Sequence, residues 1–441
     1  MREIKNLKNI LLFGAGKSAS VLIEYLIDNA AENNWHVTIV DADKKLIEQK
    51  TKKHSSSTAI EANITNDILR VELIKNADLV ISMMPPFLHI HIAKDCVQYG
   101  KHLLTASYAD EQIKLLADEV KSKGIIFLCE MGLDPGLDHL SAMQIIDGIK
   151  AKGGKITSFE SHCGGLVAPE SDDNPWHYKI SWNPRNVVLA GKSGAEYIQD
   201  GKHITEKYEN LFDASRTIDT ADETIGDLSY YPNRNSLPYI DLYNLHDAKT
   251  FVRTTLRYKD FMLGWKTIVD LKLTDEDIIY QSDDMSLAQF YAAHFEHNEI
   301  VLNVSPEDKI RLEFLGLNDN ASIINKGKIS AADGLQFALE KKLLLSPSDK
   351  DMIVMQHEIE YELAAQKQQI ISSLVVYGKD SVHTAMAKTV GLPLGIAAKL
   401  ILNGSINLSG LLLPIIKEIY EPVLKELELN GVIFSEQIKN I

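Results

Sequence analysis

A chain of 441 residues with 45% hydrophobic and 24% charged side chains has the make-up of an ordinary globular protein of two or three domains. Its net charge of −15 excludes nonspecific nucleic-acid or anionic-membrane binding, because phosphate contacts need a basic surface. No apolar run reads as a membrane span, Ile10–Phe13 leads into a glycine turn rather than a signal peptide, and Cys96, Cys129 and Cys163 have neither metal nor disulfide spacing, so a cytoplasmic protein without a bound metal is expected.

From residue 9 to 129, short apolar runs alternate with helix-length amphipathic stretches. The predicted strands are Asn9–Phe13, His36–Val40, Ala59–Ala62, Leu79–Met83, His102–Thr105 and Ile125–Cys129. Such spacing predicts a parallel α/β sheet buried on both faces. Near Lys155 the pattern turns to longer extended stretches with Gly, Pro and Asn loops, which predicts a second domain of α+β type. Between Trp265 and Leu345 it becomes helical, with Leu287–Phe295 and Ala331–Lys342 as helices, and Asp351–Glu362 and Gln368–Tyr377 return to strands. Ser381–Leu402 reads as a helix stopped by Asn403-Gly404.

The glycine turn Gly14-Ala15-Gly16-Lys17-Ser18-Ala19 sits between the first strand and the helical Val21–Ile27 stretch. There the first glycine permits the tight turn, the second lets backbone approach a pyrophosphate, and Ala19 allows close helix–strand packing. Asp41 ends the second strand, where a carboxylate accepts hydroxyl hydrogens from an adenosine ribose and repels the extra phosphate of NADP. A Rossmann domain binding NAD is therefore expected, with NADP as the alternative, Asp43 as the second-choice carboxylate, and Lys44 and Lys45 as the nearest cations. Successive strand ends then deliver Ser82 and Met83, followed by Thr105, Ala106, Ser107 and Tyr108, and finally Leu133, Asp134 and Pro135 in the run Gly132–His139, all to one carboxyl edge. Pro85 and Pro86 read as a helix start, Asp138 as a helix N-terminal charge and His139 as a buried, satisfied ring. Arginines are few and clustered: five of eight, Arg185, Arg216, Arg234, Arg253 and Arg257, lie between 185 and 257. Their rigid fork suits carboxylates, which points to an acidic substrate, although any one of them could equally be a surface ion-pair partner.

Ile125–Leu140, Ser161-His162-Cys163-Gly164-Gly165-Leu166-Val167-Ala168-Pro169-Glu170, Asp173–Pro175 with Tyr178–Trp182, Tyr231–Arg234, Val252–Tyr258 and Met386–Gly391 resemble, in order, the motifs of the L-glutamate-forming saccharopine dehydrogenase and saccharopine reductase family. The resemblance implies a Rossmann domain, 1–132, closed by 381–441; a substrate-binding and dimerisation domain, 133–265 with 347–380; and a helical insertion, 266–346. It implies a homodimer that converts saccharopine to L-glutamate and 2-aminoadipate 6-semialdehyde. Substrate contacts would fall on Ser107, Asp134, Arg234, Arg253, Thr254 and Thr255, and acid–base or polar active-site roles on Asp134, Tyr108 and Cys163. The chain departs from the family at Val167, where proline is usual, at Asn235, where aspartate is usual, and at Thr254, where glycine is usual. Rival expectations are an NADP-dependent reductase of lysine biosynthesis, a carboxynorspermidine dehydrogenase-like enzyme, and a nucleotide-binding scaffold without turnover.

Overall fold

The computed structural model describes residues 7–220, 222 and 224–441. The first six residues of the expected first domain lie outside these. The described chain forms two compact units, one running up to Lys152 and including Val382–Ile433, the other comprising Gly153–Ser381 and Phe434–Ile441.

The first unit is built on a parallel sheet. Its strands are β1 (Lys8–Phe13), β2 (Trp35–Asp41), β3 (Ser57–Glu61), β4 (Leu79–Ser82), β5 (His102–Thr105) and β6 (Ile126–Leu128), joined at the β6 edge by Gly410–Leu412. The order from that edge is β6-β5-β4-β1-β2-β3, so the winding reverses between β1 and β4. Ile10, Leu11, Leu12 and Phe13 are all buried, because helices cover both faces and a two-sided core accepts an unbroken apolar run. The helix Ala385–Leu402 is long and apolar enough to cross a membrane, contrary to the expectation of no such run. Its apolar surface is instead mostly buried, against the helix Ser20–Asp28, with Gly391 and Gly395 so close to Leu22 and Tyr25 that a Cβ at either would fall within 3 Å of them.

The second unit carries a ten-stranded mixed sheet among the described residues. Its central strand, Lys155–Val167, runs parallel to Thr250–Arg257 on one side and antiparallel to Asp351–Leu363 on the other. Asp351–Leu363 and Gln366–Tyr377 form a long hairpin, turned by Ala364 and Ala365 at φ of 50° and 62°, the paired left-handed residues of a tight two-residue turn.

Three expected boundaries differ. The helix Leu137–Ala151 belongs with the first unit: it packs on Lys417–Leu429, and Tyr420 Oη donates to Asp147 Oδ2 at 2.7 Å. The last residues leave that unit, since Ser435–Asn440 pairs antiparallel with Gln366–Tyr377. The helical stretch 266–346 is no separate body. Its Leu287, Phe290 and Leu335 share one buried cluster with Trp176, Tyr178 and Trp265, so separating it would expose a common core.

Candidate active site

The glycine turn leaves β1 with Gly14 at φ +97°, its amide donating to Val40 O at 2.8 Å. A Cβ at Gly14 would stand 2.9 Å from Met83 O, so the turn needs glycine for both conformation and space. At Gly16 a Cβ would meet nothing within 4 Å. The protein therefore leaves open space over the second glycine, which is what backbone approach of a pyrophosphate requires, and the residues present fit a dinucleotide.

Asp41 is half-buried and uses both carboxylate oxygens: Oδ2 accepts from the Ala15 amide at 2.7 Å and Oδ1 from the Asp43 amide at 3.1 Å. Asp43 does different work. Its Oδ1 accepts from the Lys45 and Leu46 amides and so caps the helix Lys44–Thr51. Lys44 and Lys45 are exposed. The cation at the turn is Lys50, unnoticed in the sequence, whose Nζ donates to Gly16 O at 2.5 Å. Burial pulls its pKa down to about 8, against the opposing pull of Asp41. Lys17 and Ser18 occupy the short turn after Gly16 that leads into the first helix.

Along the carboxyl edge, the Met83 amide donates to Phe13 O at 2.8 Å, which ties the end of β4 to the start of the glycine turn. Pro85 and Pro86 start the helix Pro86–Tyr99, as expected. From that helix the buried His89, also missed in the sequence, reaches Ser82 Oγ and Ser107 Oγ. The Ser107 amide donates to Thr105 Oγ1 at 3.2 Å, and the next strand locks on through Glu130 N–H to Ser107 O and Met131 N–H to Thr105 O. The loop after β6 is drawn tight: Gly132 N–H donates to Pro135 O, and Leu137 N–H to Gly132 O. Gly136 has φ +147°, and a Cβ there would lie 2.2 Å from Gly132 O. Ala106 packs against Gly132. Asp138 Oδ1 accepts from the Gly136 amide at 2.6 Å, and His139 Nε2 lies 3.0 Å from Glu130 Oε2. Asp138 and His139 thus brace the loop, while Asp134 sits half-buried between buried Leu133 and Pro135. Tyr108 is half-buried just beyond Ser107.

In the second unit, Arg253, Thr254 and Thr255 lie beside Ser161, His162 and Cys163 respectively. Alternation along a strand puts Arg253, Thr255 and Cys163 on one face and Thr254 on the other. There Thr254 Oγ1 lies 2.7 Å from His162 Nδ1, both side chains buried, so the Thr254 side chain is separated from the other candidates. Arg253 is buried, with its guanidinium 4.4 Å over the Tyr239 ring. Its amide donates to Ser236 Oγ and its carbonyl accepts from Asn233 N–H. Between these two anchors in the chain lies Arg234, exposed and at φ +57°, so the corner sets its backbone beside that of Arg253. Arg185 pairs with Asp333 and Glu276, and Arg216 with Glu206, which makes both structural ion-pair residues. On the Thr254 face, burial lowers the His162 pKa to about 3, and burial with Glu358 opposite raises Glu160 to about 7.

A family model described as the saccharopine dehydrogenase NADP binding domain matches residues 10–128, and one for the saccharopine dehydrogenase C-terminal domain matches 132–432. The chain is 35% identical, over 96% of its length and 97% of the relative's, to saccharopine dehydrogenase [NADP(+), L-glutamate-forming] of Saccharomyces cerevisiae. It is 33% identical, over 98% of its own length, to the mitochondrial alpha-aminoadipic semialdehyde synthase of Mus musculus, of which it spans 48%. The solved structure of apo saccharopine dehydrogenase (L-Glu forming) from S. cerevisiae superimposes with a TM-score of 0.84 at 33% identity, covering 98% of this chain and all of that one. Over nearly its whole length, in sequence and in α/β fold, the chain belongs to the saccharopine dehydrogenase family and is an NAD(P)-dependent oxidoreductase.

Proposed function

We propose that this chain is an L-glutamate-forming saccharopine dehydrogenase that uses NAD: saccharopine, NAD and water yield L-glutamate, 2-aminoadipate 6-semialdehyde, NADH and a proton. The names of the full-length fungal relatives support the reaction. The Arg234–Arg253 corner supports a substrate with several carboxylates, which a polyamine-type amine lacks. The bound dinucleotide supplies the hydride acceptor. Asp134, in the loop tied by the Gly132–Pro135 and Leu137–Gly132 hydrogen bonds, exchanges the proton of the secondary amine, and Tyr108 and Cys163 assist as polar groups. The cytoplasmic homodimer expected from composition and resemblance belongs to the same reading.

NAD, rather than the NADP of the fungal names, is favoured by the Asp41 carboxylate. A 2′-phosphate at the ribose would face that negative charge at the end of β2. For the NADP alternative the cations at hand are the exposed Lys44 and Lys45, beyond the strand end, and Lys50, whose ammonium is engaged with Gly16 O. The test is catalytic efficiency with each cofactor at fixed saccharopine; equal or better use of NADP rejects the cofactor assignment and leaves the reaction standing.

A further inference from the structure

The order of the first sheet reverses between β1 and β4, and in such sheets ligands lie in the crevice outside the carboxyl ends at the reversal. Ser82 closes β4 at that point, while Ser107 stands two residues beyond the end of β5. One imidazole joins them. His89, 4% exposed, places Nδ1 2.7 Å from Ser82 Oγ and Nε2 2.8 Å from Ser107 Oγ, with Thr105 Oγ1 at 3.5 Å. Burial lowers the His89 pKa to about 4, against the opposing pull of Asp110, so at neutral pH the ring is uncharged. An uncharged imidazole has one N–H and one lone pair: it donates at one edge and accepts at the other. It therefore sets the direction of both hydroxyls, and a serine whose oxygen is occupied on the ring side presents a defined donor or acceptor away from it.

We propose that His89 is a positioning residue for the oxidation reaction, fixing the Ser107 hydroxyl through Nε2 and anchoring it to β4 through Nδ1. The proposal rests on the saccharopine-oxidising reading, in which Ser107 meets substrate. It touches neither hydride nor amine, so its loss acts on substrate engagement rather than on dinucleotide binding.

The test uses the full chain with saccharopine and the dinucleotide, and compares His89→Asn, whose amide replaces Nδ1, with His89→Gln, whose amide reaches the Nε2 position. His89→Asn is expected to lower kcat/KM for saccharopine about tenfold, chiefly through KM, the size of a lost hydrogen bond to a reacting ligand. His89→Gln should recover most of that loss. Dinucleotide affinity, read from NADH fluorescence, should change less than about threefold in both, since uniform binding of the cofactor is not involved. In a Ser107→Ala background the Asn substitution should add less than about twofold, because coupled residues are non-additive. Should His89→Asn not fold, Ser82→Ala, which removes only the Nδ1 anchor, should show a KM-weighted loss no larger than that of His89→Gln and well below that of Ser107→Ala, and a larger one overturns the proposal. Additive effects of His89 and Ser107, no recovery by Gln, or a matching loss of NADH affinity each overturn the proposal while leaving the reaction intact. A wild-type chain that does not oxidise saccharopine removes the reaction and the proposal together.

Discussion

The Asp41 carboxylate accepts a 2.7 Å hydrogen bond from the Ala15 amide, so the acidic end of β2 and the glycine turn form one hydrogen-bonded unit. Replacing Asp41 with Ser is expected to narrow the preference for NAD over NADP by about tenfold or more, since a repelling charge and a charged hydrogen bond are both lost. Replacing Asp43 with Ala should leave the cofactor ratio unchanged and cost about 1 kcal/mol of stability through the lost cap. Steady-state efficiencies with both cofactors, beside thermal unfolding, check the pair; a ratio that moves with Asp43 and not Asp41 contradicts the assignment.

Asp134→Asn keeps the shape of the loop while removing its proton acceptor. Turnover with saccharopine should fall by roughly 10²–10⁴-fold with NADH affinity retained, the usual cost of losing a positioned proton-transfer group. Unchanged turnover across the pH range would show that another group does this work.

Alanine at Arg253 or Arg234 should raise KM for saccharopine by about tenfold or more, far above any change in KM for the cofactor, because each charged hydrogen bond contributes about 1.5–3 kcal/mol. The two substitutions also separate packing from recognition. Arg253 covers the Tyr239 ring and should lower the melting temperature as well, whereas exposed Arg234 should not.

Thr254→Val is expected to leave KM for saccharopine within about twofold but to destabilise the protein by about 1–3 kcal/mol, the cost of leaving a buried partner, here His162, unsatisfied. A large rise in KM with unchanged stability would return Thr254 to the substrate contacts.

His162 and Glu160 have opposite linkage to acid. Below its ordinary value of 6.5, His162 takes up a proton only on unfolding, because burial holds it at about 3 in the folded chain, so stability falls as pH drops through that window. Glu160, raised to about 7 from 4.5, holds its proton in the folded chain while the unfolded chain has released it, so it adds stability as pH falls from about 7 to 4.5. Glu160→Gln removes this compensation. Its melting temperature should therefore decline more steeply than wild type between pH 7 and 4.5, and parallel curves would refute the assignment.

Much of this was legible in the chain itself because the signals are local. An unbroken apolar run such as Ile10–Phe13 makes sense only between two covered faces, and Gly14 answers to a need of its own backbone. The end-of-strand position of Asp41 and the crowding of arginines between 185 and 257 were equally plain. What the tertiary structure alone decided depends on segments far apart in sequence. Thr254 stands between two substrate candidates in the chain, yet the pairing of Thr250–Arg257 with Lys155–Val167 turns its side chain toward His162, because neighbours along a strand face opposite ways. Asp41 and Asp43, first and second choice for the ribose in the chain, are set apart by the backbone amides they accept from, one bracing the glycine turn and the other capping a helix. The exposed strand Ser435–Asn440 has no apolar pattern to announce it and exists only because Gln366–Tyr377 offers an edge. His89 is one histidine in an ordinary helix until folding sets Ser82 on one side of its ring and Ser107 on the other, a relation that no spacing along the chain encodes.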